Sequence, residues 1–101
     1  MHISRFEDMI AWQRSREFVK KTYISLHSCC DYGYKDQIQR AAISIMNNIA
    51  GGYDRKDKKE YLYFLKVAKA SCSECRSMLY VAEDIGYLSE LTFKINSINK
   101  R

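Results

Sequence analysis

Arg40-Ala41-Ala42-Ile43-Ser44-Ile45-Met46-Asn47-Asn48-Ile49-Ala50-Gly51-Gly52-Tyr53-Asp54-Arg55 is the stretch on which the fold turns. With Ile38 just upstream, its Ala41, Ala42, Ile45, Ile49 and Tyr53 recur at three- and four-residue steps, the period of a helix with one apolar stripe. The alanines favour helix formation, and small residues at 41, 42 and 50 let a neighbouring helix approach closely. Gly51-Gly52 offers permissive backbone at which this helix, starting from Tyr34, is expected to end. A helix with a single apolar side needs other helices or a sheet to cover it.

The flanking sequence supplies helices. Upstream, Ser4-Arg5-Phe6-Glu7 has the form of a capping box. The residues Phe6, Met9, Ile10, Trp12, Val19, Tyr23 and Leu26 then recur mostly at helical steps up to a break at Cys29-Cys30-Asp31-Tyr32-Gly33, with Gly33 expected to make the turn. Downstream, Asp57-Lys58-Lys59-Glu60 is a second capping signal and opens the longest periodic block, which ends near Gly86. That helix should run to roughly 28 residues, or about 42 Å at 1.5 Å per residue. Its core face reads Tyr61, Leu65, Ala68, Cys72, Cys75, Leu79 and Ala82. A second apolar strip adds Val67, Met78 and Ile85. Ser89 is placed to cap a short fourth helix with Leu91, Ile95 and Ile98, about half as long as the third. A short helix cannot cover one twice its length, so some apolar surface is left over. The strip of Val67, Met78 and Ile85 either packs inside one bundle or meets another subunit, and the second reading is the one expected here.

Composition agrees with an all-α chain. The 101 residues contain no proline and four glycines, which disfavours a many-turned β-sandwich. The length allows one domain, residues 1–101, and excludes a two-domain enzyme. No run of about 18 apolar residues and no signal-peptide core is present, so a cytoplasmic protein away from the membrane is expected. In that reducing compartment Cys29, Cys30, Cys72 and Cys75 should be free thiols. Cys72-x-x-Cys75 has metal-site spacing. Both cysteines nevertheless fall where the core stripe wants small apolar groups, and they are read as buried thiols. No metal or cofactor is expected. No nucleophile, base and orienter can be assembled, and no glycine-rich phosphate loop occurs, so no enzyme is expected either.

Charge carries the functional signal. The chain has 17 Lys and Arg against 12 Asp and Glu, a formal net charge of +5. Between Arg55 and Lys69 stand six basic residues against Asp57 and Glu60, so most of the net charge belongs to one short stretch. Lys59, Lys66, Lys69 and Arg76 share one arc of the third helix, with Tyr63 and Tyr80 nearby. Such a stripe can follow a phosphate backbone while tyrosines stack on unpaired bases. It can equally be a solvated face that only aids solubility. The first helix adds Arg14, Arg16, Lys20 and Lys21. The acids gather towards helix ends, where the helix dipole accounts for several of them.

The second-helix stretch resembles R-A-A-x-S-I-P-x-N-I-A-E-G-x-x-R, the signature of the bacterial four-helix-bundle proteins encoded in intervening sequences of 23S ribosomal RNA genes. Phe6-Glu7-Asp8-Met9-Ile10-Ala11-Trp12-Gln13 resembles that family's opening. Glu60-Tyr61-Leu62-Tyr63-Phe64-Leu65-Lys66-Val67-Ala68, followed by Ser71 and Glu74, is similar to its third helix, and Gly86-Tyr87-Leu88 to its last turn. The resemblance implies an up-and-down antiparallel four-helix bundle whose subunits form rings, typically homopentamers. A similar protein, the accessory variability protein of diversity-generating retroelements, forms a basic pentameric barrel that binds nucleic acid and its reverse transcriptase. Carried over, this marks Arg40 and Arg55 as signature positions. Two positions depart from the pattern: Met46 stands for the proline and Gly51 for the glutamate. Met46 keeps an amide that a helix interior can use, whereas Gly51 removes a carboxylate that could pair with an arginine.

The leading expectation is therefore a non-enzymatic, ring-forming protein that binds RNA or DNA through Arg40, Arg55, Lys56, Lys59, Tyr63, Lys66, Lys69 and Arg76. Val67, Met78 and Ile85 are expected at the oligomer interface. The alternative is a scaffold that docks a partner protein and uses its basic face only for solubility.

Overall fold

Asp57 and Gly86 bracket the longest element. The Asp57 carboxylate accepts the Lys59 amide at 3.0 Å, which supplies an N-cap. Gly86 adopts a left-handed backbone with φ 87°, a conformation that a residue with a Cβ reaches only under strain. There the amides of Gly86 and Tyr87 return to the Ala82 carbonyl at 2.9 and 2.8 Å. In the computed structural model, which describes residues 5–87, this segment is α3, Lys58–Ile85, 28 residues long. At about 1.5 Å per residue it matches the 43 Å long axis of the molecule.

Two further helices precede it. α1 spans Ile10–Ser25 and follows a single 3₁₀ turn, Phe6–Asp8; α2 spans Tyr32–Tyr53. The described residues are thus all-α, with three α-helices and no strand. The fourth helix expected from Ser89, with Leu91, Ile95 and Ile98, lies outside the described residues, as does Ser4 of the expected capping box.

α2 is the central element. It packs along both α1 and α3, whose backbones do not approach each other closely. Its buried Ile38, Ala41, Ala42, Ile45 and Ile49 meet Phe18 and Leu26 on one side and Ala68, Cys75 and Leu79 on the other. Phe18, Leu26, Ile38 and Leu79 are almost wholly buried, each contributing about 1.5–3 kcal/mol by leaving water. Between α1 and α3 a trough remains, floored by Ile45 and Ile49 and walled by Met9, Ile10, Leu65 and Cys72, with Arg14 and Lys69 also lining it.

Several sequence expectations need correction. α1 does not begin at the capping signal: Phe6–Asp8 forms a 3₁₀ turn, and Met9 precedes the helix without a side-chain cap. Its core stripe is Ser15, Phe18, Thr22 and Leu26, whereas Ile10 and Tyr23 are exposed. The two hydroxyls stay satisfied inside by donating to the carbonyls four residues earlier, Ser15 to Ala11 at 2.7 Å and Thr22 to Phe18 at 2.8 Å. Polar residues hid this stripe from a hydrophobic count. Gly33 makes no turn, because it lies in the first turn of α2, where Asp31 caps the helix by accepting the Tyr34 amide at 3.2 Å. Nor does Gly51-Gly52 end α2. Both glycines are helical, the helix continues to Tyr53, and their role is close packing against α3.

Candidate nucleic-acid interface

A helix packed on one side presents its opposite side to solvent. Lys66 and Cys75 are nine residues apart, about 180° around α3; Cys75 is fully buried and Lys66 is exposed. The same offset separates exposed Lys59 from buried Ala68. Lys69 and Arg76 are exposed on the shoulder of this face. Tyr63 and Tyr80 stay 63% and 59% exposed among these cations. Among the described residues the ion pairs join Arg5 to Glu7 and Asp8 and Arg40 to Asp36, so none of the four α3 cations is paired. The structure thus brings Lys59, Tyr63, Lys66, Lys69 and Arg76 together on one outward surface.

At the corner between α2 and α3 the chain builds a tighter group. The Arg55 guanidinium lies over the Phe64 ring, 4.9 Å from its centre. Tyr63 meets the same ring edge-on at 5.8 Å between centroids. Phe64 can sit there because α2 has no side chains opposite it. A Cβ on Gly52 would come within 2.9 Å of the Phe64 Cβ, and one on Gly51 within 3.1 Å of its ring. Lys56 lies exposed in the connecting segment. Sequence reading had Phe64 only as part of a family motif; the usable signal was a glycine pair on one helix facing an aromatic on the next.

The remaining expected site residues divide differently. Arg40 belongs to α2 and donates to Asp36 at 2.9 Å, one helical turn away. Met78 packs against this chain's own core, and its carbonyl accepts the Tyr34 hydroxyl at 2.8 Å. Val67 is half-buried and Ile85 is 57% exposed. These three apolar residues are therefore not equally available to a second subunit. On α1, Arg14, Arg16 and Lys20 are exposed and Arg16 lies over the Trp12 ring.

The quoted α2 signature acquires a physical reading from its contacts. Ser71 of α3 donates to the Ser44 hydroxyl at 2.8 Å, and Asn48 donates to the same hydroxyl at 3.0 Å and to the Ser44 carbonyl at 2.8 Å. Ala41 and Ala42 are buried, and Gly52 admits Phe64. The signature is largely a packing pattern for one helix pair. A family model described as 23S rRNA-intervening sequence protein matches residues 7–99. The chain belongs to that family. Comparison with curated proteins gives no match. Seen as a 23S rRNA-intervening sequence protein, the chain keeps the pattern's helix contacts, while Gly51 leaves Arg55 without a carboxylate one turn back and Phe64 receives it instead.

A second polar group stands at the other end of α3. The Tyr87 hydroxyl donates to the Asp31 carboxylate at 2.6 Å, and Tyr34 and Tyr87 meet edge to face at 5.2 Å. The Tyr87 hydroxyl and then the Tyr34 amide hold the Asp31 carboxyl below its ordinary value, and the same bond raises the Tyr87 phenol to about 12. This group ties the α1–α2 connection to the end of α3. Burial, with smaller effects from Cys72 and Glu74, pushes the Cys75 thiol up to about 12. Cys29 and Cys72 are half-buried, and Cys30 is exposed. Among the described residues no three Cys, His, Asp or Glu side chains converge to hold a metal ion. No described helix is long and apolar enough to cross a membrane.

Proposed function

We infer that this chain is a non-enzymatic protein that associates with copies of itself and binds nucleic acid, RNA or DNA, through the outward face of α3. The observation that carries this reading is the set of exposed cations Lys59, Lys66, Lys69 and Arg76, unpaired among the described residues, along one side of a 28-residue helix. Their charges stand in solvent, open to phosphate. Each contact to a polyanion releases condensed counterions, which is the main source of affinity in sequence-independent binding. One α3 offers few contacts. A ring of subunits, with five as the number the family resemblance suggests, repeats the same patch and gains avidity without new chemistry.

The full-length architecture in this reading is a four-helix bundle. The trough between α1 and α3 calls for an apolar stripe, and the sequence after Ser89 has one in Leu91, Ile95 and Ile98. Exposed Ile85 and half-buried Val67 remain candidates for contact between subunits.

The test is fluorescence anisotropy with a labelled RNA oligonucleotide at rising salt, beside sedimentation of the protein alone. A multimer whose affinity falls steeply with salt supports the reading. Affinity indifferent to salt, or no binding at low salt, counts against it. Recovery of a partner protein after nuclease treatment, without RNA or DNA binding, would favour the docking scaffold instead.

A further inference from the structure

Tyr63 is placed between two cations and beside a fixed ring. Lys59 stands four residues before it and Lys66 three after, so both are its neighbours on the helix surface. Phe64 is half-buried against the glycine pair of α2, where a side chain at Gly52 would come within 2.9 Å of it. It therefore anchors what touches it: the Arg55 guanidinium at 4.9 Å and the Tyr63 ring at 5.8 Å. Tyr63 itself is 63% exposed. Its exposed ring thus lies beside two cations that make no ion pair among the described residues, with one edge held by Phe64.

We propose that this corner is a stacking site for an unpaired base, so that the nucleic acid taken by the basic face is single-stranded. The inference rests on reading the α3 face as a nucleic-acid interface, and it adds which form is bound and by what contact. A duplex buries the faces of its bases except at its ends and offers Tyr63 only sugar and phosphate. A single strand can lay a base on the ring while its flanking phosphates meet Lys59 and Lys66, with Arg55 alongside. Every base has such a face, so this contact selects strandedness and not sequence. The charge is complementary: six basic residues against two acidic ones between Arg55 and Lys69.

The experiment compares three labelled probes of about 16 nucleotides: a single strand, its blunt duplex, and an abasic strand that keeps the phosphates and lacks the bases. Full-length protein should bind the single strand about tenfold or more tighter than the other two at equal salt, the size expected for stacking one base or more. Tyr63→Leu should remove that preference without changing the slope of affinity against salt, while Tyr63→Phe, which keeps the ring, should retain it. Circular dichroism of both variants checks that the helices persist. Equal affinity for the abasic strand, tighter binding of the duplex, or an unaltered preference in Tyr63→Leu overturns the stacking site and leaves the basic face standing. Absence of binding to all three probes at low salt overturns both.

Discussion

Replacing Gly52 by alanine tests the helix contact that shapes the α2–α3 corner. The added Cβ would lie 2.9 Å from the Phe64 Cβ and 3.6 Å from the Tyr61 carbonyl oxygen. The nearer atom is bonded directly to the backbone of α3, so rotating a side chain gives no relief and the helices must separate. Overpacking of this kind costs about 1–3 kcal/mol, whereas exchanging glycine for alanine in a helix interior returns about 1 kcal/mol. The balance is a net loss of up to about 2 kcal/mol, or up to roughly 15 °C in Tm for a domain of this size. Gly33→Ala is the internal comparison. It also lies in α2, but its Cβ meets nothing within 4 Å and the glycine has no positive φ. It should raise Tm by about 2–8 °C, through helix propensity and a less flexible unfolded chain that together contribute about 0.5–1 kcal/mol. Melts followed by circular dichroism at one protein concentration decide the matter. If Gly52→Ala raises Tm as Gly33→Ala does, Phe64 is not seated against α2 and the account of the corner is wrong.

The Asp31–Tyr87 contact should make stability depend on acid. Asp31 has a lowered folded pKa, so its contribution is present above the unfolded carboxylate value and disappears as pH falls through the folded one. Tm of the wild type should therefore decline on acidification more steeply than that of Tyr87→Phe between pH 5 and 2, and parallel profiles would rule the contact out. Tyr87 has the opposite sign: its pKa is raised to about 12, so its share is held below its ordinary value and lost as pH rises towards that point. Thiol alkylation at pH 8 should modify exposed Cys30 first and leave Cys75, buried and raised to about 12, unmodified until the protein unfolds; peptide masses taken over time read this out. Early labelling of Cys75 in folded protein would contradict its place in the core.

How legible these features were depends on what each residue does. α3 could be read almost to the residue, because Asp57 and Gly86 mark its ends by local chemistry that tertiary contacts need not supply. The core face of α2 was equally plain in Ile38, Ala41, Ala42, Ile45 and Ile49. α1 was obscured because its inward stripe includes Ser15 and Thr22, whose hydroxyls bond to their own helix and so pass as core. The glycines misled for a related reason. Gly51 and Gly52 carry the same letter as a helix terminator, and only the position of Phe64 on another helix reveals that they serve contact. The exposed cations of α3 followed from its periodicity alone. Their neighbours did not, since the Arg55–Phe64–Tyr63 group depends on how two helices meet at a corner.

The central claim is that the α3 cations contact phosphate, and the salt dependence of Lys66→Gln/Lys69→Gln beside wild type tests it most directly. Both side chains are exposed and unpaired among the described residues, so the substitutions should leave the melting curve unchanged. Binding of a labelled single strand is measured over a range of potassium chloride concentrations. Each phosphate contact contributes about 0.7 to the slope of log affinity against log salt for a single strand, so the double variant should bind more weakly with a slope shallower by about 1.4. Weaker binding with that change of slope is the predicted result; a variant whose affinity and slope both match the wild type would contradict the account.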